Sequence, residues 1–217
     1  MSGFEILPSL LAADFGRLAD EIRRAEASGA DALHLDIMDP HFVPNISFGP
    51  DVVALCRRVA PGFRRNVHLM LSRPDLYIRK FAEAGADSLQ VHVEADCDLH
   101  TVLADIHSLG LSAWLAFNPE TPAEAVYPYL RHCDGILAMT VHPGYGGQRF
   151  IVECLPKIAQ VRAWRPDIDI MIDGGGNAET IPLAAKAGAN MFVAGSHLFA
   201  QADMAAAVAE LRRRLEA

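Results

Sequence analysis

The chain has 217 residues, of which 51% are hydrophobic, and its formal net charge is −8. This length suits a single closed α/β barrel domain over residues 1–217, because barrels of this kind use about 200 to 250 residues. The negative charge argues against nucleic acid and against an anionic membrane surface as partners.

The N-terminal segment, MSGFEILPSLLAADFG, has no basic start and carries two acidic residues and a proline in or beside its apolar run, unlike a signal peptide. No apolar run in the chain approaches the roughly 18 residues that span a bilayer. The four cysteines form no C-x-x-C pair, which argues against a zinc ribbon or a redox motif. These features predict a cytoplasmic protein with buried, reduced thiols.

Eight apolar segments are typical of β-strands, and segments with a helical period lie between them. The first helical segment places Phe15, Leu18, Ile22 and Ala25 on one face, with Asp14 as a plausible N-cap. Three strands follow related segments in which a glycine ends the helical pattern, as expected at the helix-to-strand junction of a βαβ unit. In chain order the strands are EILPSL, ALHLDIM, NVHLML, SLQVHV, SAWLAFN, GILAMTV, DIMIDG and MFVAGS.

Strict alternation of strands and helices predicts a parallel sheet, and eight such units close a (β/α)8 barrel, the TIM-barrel fold. An open doubly wound sheet is the alternative. The first strand lacks the G-x-G-x-x-G that often follows in such sheets. The pattern therefore favours the closed barrel.

Polar residues interrupt several strands near their carboxyl ends, where the active site of such a barrel lies. Strand one has Ser9, strand two has His34 and Asp36 on one face, strand three has His68, and strand seven ends in Asp173. Two imidazoles and two carboxylates suit zinc, iron(II), manganese or cobalt. The alternative is that each is a separate hydrogen-bonded core residue, but four at equivalent depth favour a metal site.

Glycine-rich loops follow the last three strands and predict a phosphate site built from backbone N–H groups. All three lysines lie in helical segments, so a Schiff-base mechanism has no candidate nucleophile. The loop residues are Gly144, Gly146 and Gly147 after strand six, Gly174, Gly175 and Gly176 after strand seven, and Gly195 and Ser196 after strand eight.

The strings HLDIMD-x-HFVPN, VHLML, FNPETP, HPGYGGQ-x-F, DGG and AGS occur in this order and together closely resemble the ribulose-phosphate 3-epimerase family. The resemblance extends from ILPSLLAADF to AGSHLF and implies a (β/α)8 barrel of the ribulose-phosphate-binding type. It implies interconversion of D-ribulose 5-phosphate and D-xylulose 5-phosphate with one divalent metal ion, zinc before iron(II), manganese or cobalt. The implied metal ligands are His34, Asp36, His68 and Asp173.

The resemblance also makes Asp36 and Asp173 the acid/base pair of a two-base proton transfer through an enediolate. It places Met38, Met70 and Met139 around the reacting carbon, although methionines at these positions also suit plain core packing. The remaining substrate contacts that it implies are Ser9, His68, Gly144, Tyr145, Gly146, Gly147, Asp173, Gly174, Gly175, Gly195 and Ser196.

Three residues depart from the family pattern: Pro40 after Asp39, Asn66 where aspartate is common, and the bulky Trp114 in strand five. We expect none of them to touch the four ligands, so they bear on substrate preference and leave the chemistry unchanged. His92 is expected to lie in a loop or on a helix surface.

Two other functions stay open. One is a 3-epimerase for another phosphorylated ketose, such as D-allulose 6-phosphate, and the other is a sugar-phosphate-binding barrel without turnover. The resemblance further implies a homo-oligomer, either a dimer or a hexamer.

Overall fold

The computed structural model describes residues 3–216, and within them eight parallel strands form one sheet. Every segment predicted to be a strand is one, and the predicted (β/α)8 barrel is confirmed. The strands are β1 (Glu5–Pro8), β2 (Ala32–Met38), β3 (Arg64–Met70), β4 (Ser88–His92), β5 (Ser112–Phe117), β6 (Gly135–Met139), β7 (Asp169–Asp173) and β8 (Met191–Ala194).

The strands follow chain order around the barrel, and β1 pairs with β8. Between β1 and β2 the barrel closes through one parallel bridge, from Ser9 to His34. Because all strands run in parallel, their carboxyl ends meet at one mouth. The residues that follow each strand therefore converge there.

The α-helices lie outside the barrel, one after most strands. The predicted helix between β5 and β6 is instead two 3-10 turns, Ala123–Ala125 and Tyr127–Tyr129. Pro128 explains the difference. Proline has no backbone N–H to donate to an α-helical hydrogen bond, and it disfavours the helical conformation of the residue before it. The helices are α1 (Leu18–Ala27), α2 (Pro50–Val59), α3 (Ile78–Ala84), α4 (Leu99–Ser108), α5 (Leu155–Trp164), α6 (Thr180–Ala187), α7 (Ser196–Phe199) and α8 (Met204–Glu216).

The predicted N-cap and the predicted helix-ending glycines are both present, although the cap acts on a different helical turn. Asp14 is a cap, since its side chain accepts from the backbone N–H of Gly16 at 2.9 Å, but it caps a 3-10 turn that precedes α1. Gly85 and Gly188 end α3 and α6 with φ of 104° and 112°. Only glycine adopts these left-handed values without strain, which lets the chain turn directly into the next strand.

Two layers of apolar side chains stabilise the fold. Outward-facing strand residues pack with the helices into one large core, while inward-facing residues fill the barrel. This alternation follows from the period of two along a strand.

Trp114 is the largest side chain inside the barrel, and it lies against Gly135 of the neighbouring strand. A Cβ on Gly135 would lie 2.4 Å from Cζ3 of the Trp114 ring. The indole N–H donates to Ser112 Oγ at 2.9 Å. The bulky tryptophan is therefore accommodated because its neighbour has no side chain.

Within residues 3–216, every helix is too short or too polar to cross a lipid bilayer.

Candidate active site

Four side chains from three strands meet at the floor of the barrel mouth. Asp36 Oδ1 lies 3.3 Å from His34 Nε2 and 3.2 Å from His68 Nδ1. Asp173 Oδ2 lies 3.7 Å from His34 Nε2 and 3.4 Å from His68 Nδ1. All four ligand atoms lie within 4.8 Å of one another, so the residues predicted to form the metal site are together.

The donor set fits a divalent metal ion. Bonds of about 2.0 to 2.2 Å to a shared ion separate tetrahedral ligands by roughly 3.4 Å, close to these distances. His34 Nε2 is buried and has no hydrogen-bond partner within residues 3–216. An imidazole nitrogen buried in this way loses the stabilisation that water would give it, and a metal ion would restore it.

The charges at this site balance one another. Burial is the largest influence on His34 and lowers its pKa, but Asp36 and Asp173 together outweigh it and raise the pKa to about 10. The same balance raises the pKa of His68. Burial acts to raise the pKa of Asp36 and Asp173, yet the two imidazoles hold both below the ordinary value. The carboxylates therefore favour the charged form, and their negative charge attracts a metal cation or, without one, a proton onto the imidazoles.

Ser9 holds the first of the carboxylates. Its hydroxyl donates to Asp36 Oδ2 at 2.6 Å, while Asp36 Oδ1 faces the imidazoles. Asp36 and Asp173 stand on β2 and β7, with β1 and β8 between them. The two carboxylates approach the cavity from separate directions, although they are not diametrically opposed.

Asn66 contacts a candidate ligand, and the expectation that it would not is wrong. Its Oδ1 lies 2.6 Å from His34 Nδ1, and its Nδ2 donates to Ser88 Oγ at 2.9 Å. The reason is the register, in which Asn66 of β3 pairs with His34 of β2, and both face the interior. Of the other two departures, Trp114 packs in the barrel interior, and Pro40 stands in a turn whose N–H groups bond to Asp39 Oδ1.

The prediction that His92 lies in a loop or on a helix surface is also wrong. It is completely buried at the end of β4, and its Nε2 lies 2.8 Å from His68 Nε2. Its Nδ1 lies 3.0 Å from Glu94 Oε2. The signal was the alternation in SLQVHV, which puts Gln90 and His92 on the face that continues the row of Asp36 and His68.

A cavity of about 360 Å³ opens above these residues at the barrel mouth. His34 and His68 lie below it with no exposed surface. His68 is therefore not part of the cavity wall, and it stays a candidate metal ligand. The other predicted contacts line the cavity: Ser9, Asp36, Met38, Met70, Met139, Gly144, Tyr145, Gly146, Gly147, Asp173, Gly174, Gly175, Gly195 and Ser196.

The glycines after β7 let this loop approach the loop after β6 and strand β8 closely. A Cβ on Gly174 would lie 2.3 Å from Val141, and one on Gly176 would lie 2.3 Å from the backbone oxygen of Val193. Gly174 also has a φ of 116°, which disfavours any other residue. The loop after β7 therefore lies against the loop after β6 and against β8, beside the cavity.

Two hydrogen bonds join the loops after β2 and β6 across the mouth. The Tyr145 hydroxyl donates to the backbone oxygen of Pro44 at 2.6 Å. Asn45 Nδ2 donates to the backbone oxygen of Gly144 at 2.7 Å. We call this pair of contacts the loop latch.

The model of the ribulose-phosphate 3 epimerase family matches residues 5–199. Ribulose-phosphate 3-epimerase from Bacillus subtilis (strain 168) is 45% identical over 213 residues, covering 96% of this chain and 98% of that protein. The Rhodobacter capsulatus protein of the same name is 47% identical over 197 residues, covering 90% and 86%.

Solved structures share the fold at lower identity. KGPDC from Streptococcus mutans has a TM-score of 0.77 at 12% identity, covering 99% of this chain and 98% of that one. 3-Hexulose-6-phosphate synthase from Salmonella typhimurium has a TM-score of 0.73 at 15% identity, with 98% of each chain covered.

Proposed function

Since this chain belongs to the ribulose-phosphate 3-epimerase family and is an isomerase, we propose that it interconverts D-ribulose 5-phosphate and D-xylulose 5-phosphate with one divalent metal ion. The observation that carries the proposal is the meeting of His34, Asp36, His68 and Asp173 within 4.8 Å below an open cavity. A sugar-phosphate-binding barrel without turnover would have no need of such a set.

The proposed metal ligands are His34 through Nε2, His68 through Nδ1, and one oxygen each of Asp36 and Asp173. The buried Nε2 of His34, which lacks a hydrogen-bond partner within residues 3–216, supports this assignment. A bound divalent ion would withdraw electron density from the ketone and stabilise the negative charge that develops on its oxygen. Zinc suits the mixed nitrogen and oxygen donors best, with iron(II), manganese and cobalt as alternatives.

Epimerisation at C3 needs one group to remove a proton and another to return one to the opposite face. We assign removal to Asp36 and return to Asp173 in the direction from ribulose to xylulose, with the roles exchanged in reverse. Both carboxylates line the cavity. In the direction from ribulose to xylulose Asp36 begins ionised and Asp173 begins protonated, and the step leaves Asp36 protonated and Asp173 ionised, the state from which the reverse reaction starts. The Ser9 hydroxyl orients Asp36 for this step.

The walls of the cavity suit the remaining parts of the substrate. Met38, Met70 and Met139 are no more than 4% exposed and present apolar surface that would keep water from the enediolate. Backbone N–H groups of the loops after β6, β7 and β8 would bind the phosphate, a role supported by the glycines of all three loops that line the cavity. With all three lysines in helices α3, α5 and α6, backbone groups are the natural donors.

Hydrogen exchange tests the proposal directly. Metal-loaded enzyme in D₂O is followed by proton NMR, separately on D-ribulose 5-phosphate and D-allulose 6-phosphate. Deuterium at C3 together with xylulose 5-phosphate is the expected result. Faster exchange into allulose 6-phosphate would move the function to the other ketose, and no exchange into either sugar by metal-loaded enzyme would refute both as the substrate.

Three broader assignments stay proposals. One barrel domain over residues 1–217 is supported by the membership of all eight strands in one sheet. A homodimer or homohexamer, and a cytoplasmic location, are expected from the family resemblance.

A further inference from the structure

His68 is linked to the loops after β4 and β5 by a chain of hydrogen bonds. Its Nε2 lies 2.8 Å from Nε2 of His92, and the Nδ1 of His92 lies 3.0 Å from Oε2 of Glu94. The two imidazoles have no exposed surface, and their planes are only 19° from parallel with ring centres 5.0 Å apart, so the rings meet nearly edge to edge as an N–H···N hydrogen bond requires. Because water cannot reach them, these contacts must satisfy the ring nitrogens.

Glu94 sets the donor-to-acceptor direction of these hydrogen bonds. Its Oε1 accepts from the backbone N–H of Asn118 at 2.8 Å and from the hydroxyl of Thr121. Burial acts to raise the pKa of Glu94, but His92, Thr121 and Asn118 outweigh it and lower the pKa to about 2. An ionised carboxylate has only acceptors, so the Nδ1 of His92 must carry the hydrogen that it donates to Glu94.

The position of this hydrogen fixes the direction of the next hydrogen bond, between His92 and His68. A neutral imidazole carries one ring hydrogen, and in the completely buried His92 that hydrogen is on Nδ1, so its Nε2 bears none. That nitrogen must accept, and His68 Nε2 must donate to it. When His68 is neutral, as a metal ligand must be, its lone pair is then on Nδ1, the nitrogen 3.2 Å from Asp36 and 3.4 Å from Asp173.

We propose that Glu94 and His92 are positioning residues that fix the tautomer and ring orientation of His68 and so leave its Nδ1 free to bind the metal ion. A histidine ligand commonly donates its second ring N–H to a carboxylate. Here a second imidazole carries that contact to a carboxylate in the loop after β4. This inference rests on the metal-binding part of the proposed function.

The variant Glu94→Gln tests the direction of the chain with little change of shape. The backbone N–H of Asn118 cannot rotate, so it holds the amide oxygen of the glutamine. The amide NH₂ then faces His92 Nδ1, which must become the acceptor. His92 would donate from Nε2, His68 would accept at Nε2, and the hydrogen of His68 would move to Nδ1, where the metal should bind.

Two measurements follow the reversal. Nitrogen-15 NMR of the metal-free protein should show His92 protonated at Nδ1 in the wild type and at Nε2 in Glu94→Gln. A competition titration with a chromogenic chelator should show zinc affinity reduced about 10- to 100-fold in the variant. The first readout does not depend on metal or on activity, and a merely structural role for Glu94 would not move it.

Glu120→Gln is the matched control. Glu120 lies in the next loop and pairs with His142 at 2.9 Å, but both side chains are about two-thirds exposed, at 67% and 64%. The same chemical change there should leave zinc affinity and the His92 tautomer as in the wild type.

Substitution of His92 provides an independent test if Glu94→Gln folds poorly. His92→Leu removes the acceptor and should weaken zinc binding. In His92→Gln the amide oxygen can accept from His68 while its NH₂ donates to Glu94, so most of the affinity should return.

Wild-type zinc affinity in both Glu94→Gln and His92→Leu, or an unchanged His92 tautomer in Glu94→Gln, would overturn the inference. A wild-type protein that binds no zinc, iron(II), manganese or cobalt would instead refute the metal site itself. The NMR measurement would still report the direction of the hydrogen bonds in that case.

Discussion

The side-chain oxygen of Asn66 lies 2.6 Å from Nδ1 of His34, so an uncharged amide supports this imidazole where the family commonly has aspartate. The Nδ2 of this amide donates to the hydroxyl oxygen of Ser88 at 2.9 Å, which leaves its oxygen facing His34. His34 Nδ1 must therefore donate, which leaves the lone pair on Nε2 for the metal ion.

Asn66→Leu should lower zinc affinity about 10- to 100-fold, because it removes the acceptor that fixes the His34 ring. Asn66→Asp should restore the affinity, since a carboxylate also accepts from Nδ1. The measurement is a zinc competition titration of each variant, with circular dichroism to compare folding. Wild-type affinity in Asn66→Leu would show that the contact is unimportant for the metal.

Asp173→Asn should reduce kcat by at least about a thousandfold while the barrel stays folded, because the amide cannot exchange a proton with the substrate. Steady-state kinetics at saturating metal, with metal content measured in parallel, provide the test. Asp167→Asn is the control, since Asp167 is 80% exposed beside β7 and faces Arg165. Near-normal turnover in Asp173→Asn would remove that residue from the acid/base pair.

Zinc affinity should rise with pH between about 6.5 and 10. In the metal-free chain the carboxylates outweigh burial and raise the pKa of His34 to about 10, so the ring is protonated at pH 7.5 and must lose a proton when the metal binds. Acid favours the protonated ring, and therefore lower pH weakens binding. Calorimetry in buffers of different ionisation enthalpy should detect release of about one proton or more per ion. A pH-independent affinity would contradict the charge balance described above.

Tyr145→Phe should raise KM about 3- to 10-fold with a smaller effect on kcat, because it removes one of the two hydrogen bonds of the loop latch. Tyr127→Phe is the matched control, since both tyrosines are 58% exposed and the Tyr127 ring lies against Trp164, which is outside the latch. An unchanged KM in Tyr145→Phe would mean that the latch does not affect substrate retention.

The four cysteines should react slowly with iodoacetamide at pH 8 in the native protein. Burial raises the pKa of Cys56 and Cys133 to about 12 and that of Cys97 to about 11, so very little thiolate is present. Cys97 is only half-buried, unlike the buried thiols expected from the sequence. Mass spectrometry should find four modifications only after unfolding, and rapid native labelling of Cys97 would contradict its raised pKa.

The sequence predicted the barrel and the four clustered side chains because both depend on local periodicity. Alternation along a strand puts His34 and Asp36 on one face, and parallel strands bring their carboxyl ends together. These rules do not depend on how neighbouring strands are shifted relative to one another.

Which residues contact the candidate ligands depends on that shift between neighbouring strands, and the shift is a property of the closed barrel. Asn66 reaches His34 because the two are register neighbours, and His92 reaches His68 because β4 extends two residues beyond the level of Gln90. A single histidine at the end of an apolar strand gives no sign of which neighbour it will contact. The sequence alone therefore predicts a surface position for His92 and no ligand contact for Asn66, and both predictions are wrong.

The contact between Trp114 and Gly135 limits the order in which this barrel can change during evolution. Any side chain added to Gly135 would collide with the indole ring, so Trp114 must become smaller first. That first step alone would leave an unfilled space in the barrel and lower stability by a few kcal/mol. Neither substitution is easily accepted without the other, so the two positions should vary together among relatives, with a large residue at one accompanied by a small residue at the other.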